Sequence, residues 1–129
     1  MSGRRILILE QDQKIRELLT RFLKARGYEV TGTHDADNGL RLFLAERPDV
    51  ILVDLVLADG PGADLCRQVR DTHLDVALIL MGTARQARRR GIENVRAELG
   101  IDSFLQKPFG IADLVTAIES ALTVSAARG

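Results

Sequence analysis

The residues with chemistry in them stand just after apolar runs. Glu10, Gln11 and Asp12 follow "RILIL". Asp54 follows "DVILV", Gly82 and Thr83 follow "VALILM", and Lys107-Pro108 follow "SFLQ". Carboxylates gathered at one place repel one another unless a cation lies between them. A ligand set made only of oxygens favours a hard ion such as Mg²⁺, which keeps several of its waters. Lysine is a compact point charge suited to a phosphoryl oxygen, and a carboxylate held beside Mg²⁺ and a lysine is a competent phosphoryl acceptor. Brought to one rim, these side chains would do phosphoryl chemistry. Left scattered, they are only polar residues at strand ends.

The elements around them decide which. Apolar strand-like runs lie at 5–9, 29–32, 50–53, 76–80 and 103–105, and segments of helical spacing separate them. The first helix carries Ile15, Leu18, Leu19, Phe22 and Leu23 as one stripe, with Asp12 as its N-cap and Gly27 as its stop. Further helices are expected at 36–46, 63–71, 84–99 and 111–122, with a break near Gly91 and a frayed end over "VSAARG". Strand–helix repeated five times gives a parallel sheet covered by helices on both faces. The first, third and fourth strands are apolar throughout, as doubly covered strands must be, whereas "EVTG" and "SFLQ" are polar enough for edges. The expected fold is therefore a flavodoxin-like α/β (βα)5 doubly wound sandwich of strand order 2-1-3-4-5. In such a sheet the ligand site lies beyond the carboxyl ends of the strands, at the switch between the first and third. Glu10, Gln11, Asp54, Thr83 and Lys107 all fall on that rim.

Composition narrows the remaining classes. A chain of 129 residues with 46% apolar and 28% charged residues is one domain with a real core. Zero formal net charge provides no global basic field for nucleic acid. The run Arg85, Arg88, Arg89, Arg90 reads as a solvated helix face. No apolar stretch reaches the roughly 20 residues needed to span a bilayer. The lone Cys66 rules out an internal disulfide frame and fits a small core residue in a reducing, cytoplasmic setting. His34 and His73 have no neighbours at metal-ligand spacing. "EQDQK" contains no glycine for a phosphate-cradling loop, and aromatics are only 4%, so a nucleotide- or flavin-dependent enzyme is disfavoured.

With those residues in place, the chain resembles the response-regulator receiver domains of two-component signalling. The resemblance runs from Arg4 to about Leu122 and is carried by "RRILILEQD", "GYEV", "PDVILVDLVLADGPGADLCRQVR", "LGIDSFLQKPF" and "ADLVTAI". It implies a single receiver domain over 1–129, with a core of about 4–122 and a tail of 123–129. It further implies that Asp54 accepts a phosphoryl group from a histidine kinase or phosphotransfer protein and that Lys107 contacts that group. The Lys107-Pro108 peptide is implied to be cis and Phe104 to be the aromatic switch residue. Mg²⁺ is implied to bind at Glu10, Asp54, the Val56 backbone carbonyl and, weakly, Gln11. A downstream protein, or a second copy in a homodimer, would meet the face of the fourth helix, fifth strand and fifth helix. Such a domain is a phosphoacceptor with slow self-dephosphorylation rather than an enzyme.

The pattern departs from the family at named positions. Gln11 stands where a second acid usually ligates Mg²⁺, and its amide oxygen brings no charge. Counting from Asp54 without gaps puts Gly82, a switch position, where the family has Thr or Ser. Either Thr83 substitutes for the missing hydroxyl after a one-residue shift, or it crowds the pocket. "ADGPG" replaces the usual Pro-x-Met-Asp-Gly loop, so Ala58 and Pro61 alter its stiffness. Two readings follow: a working receiver with a weakened Mg²⁺ site, and an atypical receiver that signals by protein contacts without phosphorylation.

Overall fold

The computed structural model describes residues 4–57, 59–73 and 75–128. Strands β1 (Arg5–Leu9), β2 (Glu29–Thr33), β3 (Val50–Asp54), β6 (Ala77–Thr83) and β7 (Ser103–Lys107) form one parallel sheet in the order β2-β1-β3-β6-β7. Here β6 and β7 are the expected fourth and fifth strands, so the expected fold and order hold. A two-stranded antiparallel ladder, β4 (Val56–Leu57) with β5 (Gly60–Pro61), is inserted straight after the Asp54 strand. Ala58, singled out above for loop stiffness, lies outside the described residues.

Strand alternation sorts the core into two layers. Leu7, Leu9, Ile51, Val53, Leu78 and Leu80 face Phe43 of α2 (Ala36–Glu46), Leu65, Cys66 and Val69 of α3 (Gly62–Thr72), and Ile92 and Leu99 of α5 (Ile92–Leu99). Ile6, Ile8, Val50, Leu52, Ala77 and Ile79 face Leu19 and Leu23 of α1 (Gln13–Ala25) and Leu114, Ile118 and Ala121 of α6 (Ile111–Arg128). Every residue of β3 is buried, which explains why that strand shows no polar alternation.

Helix ends follow from their capping residues. The Asp12 carboxylate accepts the Ile15 amide at 3.1 Å and starts α1. The expected fourth helix is two helices, α4 (Ala84–Arg90) and α5, because Gly91 sits in the left-handed region at φ 63°. One boundary needs correction. The segment expected to fray past Leu122 continues as helix to Arg128, where Ser125 is buried and its hydroxyl donates to the Asp75 carbonyl. That anchor is a single polar contact 50 residues away, which no local pattern encodes.

Candidate functional site

The carboxyl ends of β1, β3 and β7 bring Glu10, Asp54 and Lys107 into one cup. The Lys107 ammonium Nζ donates to Glu10 Oε1 at 2.7 Å and to Asp54 Oδ2 at 3.2 Å. Glu10 is 1% exposed and Asp54 4%. Burial raises the Glu10 carboxyl above the usual range; the neighbouring Asp54 adds to the rise, and Lys107 offsets part of it. Burial alone would lower the Lys107 ammonium, but its hydrogen bond to Glu10 and the charges of Asp54 and Glu10 raise it on balance. Both directions follow from two carboxylates meeting one ammonium in a buried cup: Glu10 is harder to ionise and Lys107 holds its charge more firmly.

Each end of the cup is fixed by its own strand. Glu10 directly follows β1; its amide donates to the Thr33 carbonyl at 3.0 Å, and its second carboxylate oxygen accepts the Asp12 amide at 3.0 Å. Asp54 ends β3 in register with Met81, and the Val56 amide donates to its Oδ1 at 3.4 Å. Gly62 lies so close to this turn that an added Cβ would stand 1.9 Å from the Asp54 carbonyl oxygen, so α3 can begin there only without a side chain. Lys107 ends β7, and the peptide to Pro108 is cis.

The donors fit a divalent cation only in part. Asp54 offers a carboxylate, but both oxygens of Glu10 already accept hydrogen bonds. Gln11 is exposed, and Asp12 faces the first turn of α1 as its cap. Among the described residues, no group of three or more carboxylate, imidazole or thiol side chains is arranged to hold a metal.

At the end of β6, alternation separates the two hydroxyl candidates. A Cβ built on Gly82 would stand 2.6 Å from Leu55 Cδ1 and 3.1 Å from Gln86 Oε1, so that position points toward Leu55 and α4 rather than into the cup. Thr83 is in register with Lys107 and lines a groove with it. Its hydroxyl accepts the Gln86 amide at 3.1 Å while Gln86 Oε1 accepts the Thr83 amide at 2.9 Å, a capping box that starts α4. Phe104 lies in β7, half-buried against the core layer of α2, α3 and α5.

Three participants escaped sequence reasoning. Leu55, fully buried, fills the space over Gly82. Arg16 Nη1 donates to the Glu10 carbonyl at 2.7 Å. The exposed Asp59 carboxylate accepts the Ala36 and Asp37 amides, at 2.7 and 3.1 Å, and so ties the loop after Asp54 to the start of α2. These amides, Ala36 first, hold the Asp59 carboxyl below its usual range. Arg16 alone had a readable signal, a charged residue at the margin of the apolar stripe of α1 and one turn beyond Asp12.

Comparison with known proteins matches this architecture. Residues 6–119 match the model of the response regulator receiver domain family. The chain is 32% identical over 118 residues to "Response regulator MprA" of Mycobacterium ulcerans and, at the same identity, of Mycobacterium tuberculosis. Those alignments cover 92% of this chain and 50% of each relative, so the chain spans about half the length of the curated relatives it matches. A CheY-like response regulator receiver domain protein of Methanospirillum hungatei superposes with a TM-score of 0.86 at 24% identity, over 99% of this chain and all of that one. TrrA of Thermotoga maritima, solved in complex with Mg²⁺-BeF, superposes with a TM-score of 0.81 at 22% identity, over 92% of this chain and 99% of that one. Fold, acidic cup and family match converge, and the chain belongs to the response regulator receiver domains of two-component systems.

Proposed function

We propose that Asp54 accepts a phosphoryl group from a phosphohistidine of a histidine kinase or phosphotransfer protein. A carboxylate oxygen of Asp54 attacks phosphorus, the P–N bond breaks with its electron pair going to the imidazole, and the imidazole takes up a proton as it leaves. The observation that carries this reading is the lysine bridge: Lys107 Nζ touches Asp54 at 3.2 Å and is therefore in reach of an oxygen on the transferred group. Mg²⁺, when bound, neutralises phosphoryl oxygens. Asp54 and the Val56 carbonyl would hold it, with Gln11 a weak and uncharged contributor, so its affinity is low. The aspartyl phosphate then hydrolyses slowly.

A groove of about 660 Å³ runs beside Lys107 between α1 and the start of α6, lined by Ile15, Leu18, Phe22, Phe109 and Ile111. Leu18 and Ile111 are 64% and 57% exposed, an apolar approach for the phosphodonor. The downstream partner, or a second copy, meets α4, β7 and α6. There Arg85, Arg88, Arg89 and Arg90 are exposed and match carboxylates of a partner by their fork geometry.

The second reading, signalling by protein contact alone, is favoured by one observation: the Thr83 hydroxyl already caps α4. Incubation with acetyl phosphate, or with beryllofluoride, at millimolar Mg²⁺ separates the two. An adduct by mass, lost in Asp54→Asn, supports phosphoacceptance; no adduct and unchanged amide spectra support the contact reading.

A further inference from the structure

Glu10 is held at every polar atom. Its amide donates to Thr33 O, its carboxylate oxygens accept from Lys107 Nζ and the Asp12 amide, and its carbonyl accepts from Arg16 Nη1 at 2.7 Å. Only the last of these four bonds comes from a charged side chain of another element to the backbone of residue 10. That carbonyl stands one residue past the end of β1, where the ladder no longer supplies a donor. The arginine reaches it across β2. Its stem lies over Gly32, where an added Cβ would come within 3.2 Å of Arg16 Cγ and 3.3 Å of Cδ. The glycine in "EVTGT" therefore has a use: it leaves a channel for the side chain that holds the end of the neighbouring strand.

From this geometry we infer that Arg16 is a positioning residue for the cup. It fixes the peptide after Glu10 and so aims the carboxylate that draws Lys107 off Asp54. Residue 10 is pinned to β2 through its amide on one side. On the other side the carbonyl contact and the turn into α1 limit rotation about its backbone. With Arg16 absent, the Cα–Cβ direction of Glu10 swings, its bonds to Lys107 and the Asp12 amide weaken, and Lys107 settles on Asp54. The inference rests on the phosphoacceptor reading for its effect on rate. Its geometric part stands apart from that reading.

The test uses the whole chain as Arg16→Gln, Arg16→Lys and Gly32→Ala, with Glu10→Gln as a background. The first readout is the amide proton of Asp12, which reports its bond to Glu10, together with the amide of Val56, which reports Asp54. In Arg16→Gln and Gly32→Ala the Asp12 proton should move upfield and the Val56 amide should shift, with Arg16→Lys restoring part of the change. In the Glu10→Gln background, Arg16→Gln should leave the Val56 amide where Glu10→Gln alone puts it. The second readout is the rate of acetyl-phosphate modification at Asp54, expected to fall on the order of tenfold in Arg16→Gln and to show no further fall when added to Glu10→Gln. Unchanged Asp12 and Val56 amides in a folded Arg16→Gln protein overturn the inference, as does an equal rate loss with Glu10 present or already replaced. Absence of any modification in the wild-type chain would refute the phosphoacceptor reading, while the amide shifts would still decide the role of Arg16.

Discussion

Lys107 Nζ lies closer to Glu10 Oε1, at 2.7 Å, than to Asp54 Oδ2, at 3.2 Å. The lysine is thus shared between a structural acid and the candidate acceptor, and Glu10 holds the nearer share. Removing the ammonium leaves two nearly buried carboxylates facing each other without a counter-charge.

Lys107→Met should therefore cost roughly 3–5 kcal/mol of stability, the range for stripping one partner from a buried ion pair. Urea denaturation at neutral pH measures it. A loss below about 1 kcal/mol would show that water, not Lys107, balances the cup.

Glu10 gives the pH dependence its sign. Its folded carboxyl lies above the ordinary value of 4.5, first through burial and then through Asp54. Between the two values the folded chain holds a proton that the unfolded chain has released, so stability falls as pH rises from about 4.5 through the folded value. Glu10→Gln removes that slope and should be no less stable than wild type at neutral pH. Unfolding free energies of both proteins from mildly acidic to neutral pH check this; parallel curves would refute it. Lys107, also raised, adds a second decline that begins only above its ordinary 10.5.

Gly82→Thr should destabilise rather than improve the site. The new Cβ would meet Leu55 Cδ1 at 2.6 Å, and overpacking a filled core typically costs about 1–3 kcal/mol. Thermal melts of Gly82→Thr, Leu55→Ala and the double variant test the clash: the double variant should lie well above the sum of the singles.

Gln11→Asp should raise Mg²⁺ affinity by roughly tenfold or more. A unit charge about 4 Å away is worth roughly 4 kcal/mol at an effective dielectric of about 20, and desolvation cancels much of that. Amide-shift titration with MgCl₂ measures the two affinities, and equal values would mean that residue 11 points away from the ion.

Periodicity made most of the fold legible. Even-numbered residues of β1 and β3 share one core layer with odd-numbered residues of β6, and the opposite parities share the other. Residue types at strand ends placed Glu10, Asp54 and Lys107 on one rim. The Gly82 register was not legible from a gapless count. A count along the chain ignores which face of β6 a residue occupies, and the structure sets Gly82 against Leu55 and Thr83 beside Lys107. The extent of α6 depended on Ser125 meeting the Asp75 carbonyl and the role of Asp59 on the Ala36 amide, both far along the chain, whereas Arg16 meets the Glu10 carbonyl only six residues back. A side chain aimed at a distant peptide leaves no mark on hydrophobic spacing.

The Asp59 bracket has a mechanical outcome. One carboxylate grips the first two amides of α2, so the loop after Asp54 and the first turn of that helix share a single fastening. Cutting that fastening with Asp59→Ala should loosen the start of α2 and the loop together, read as faster amide exchange at Ala36 and Asp37.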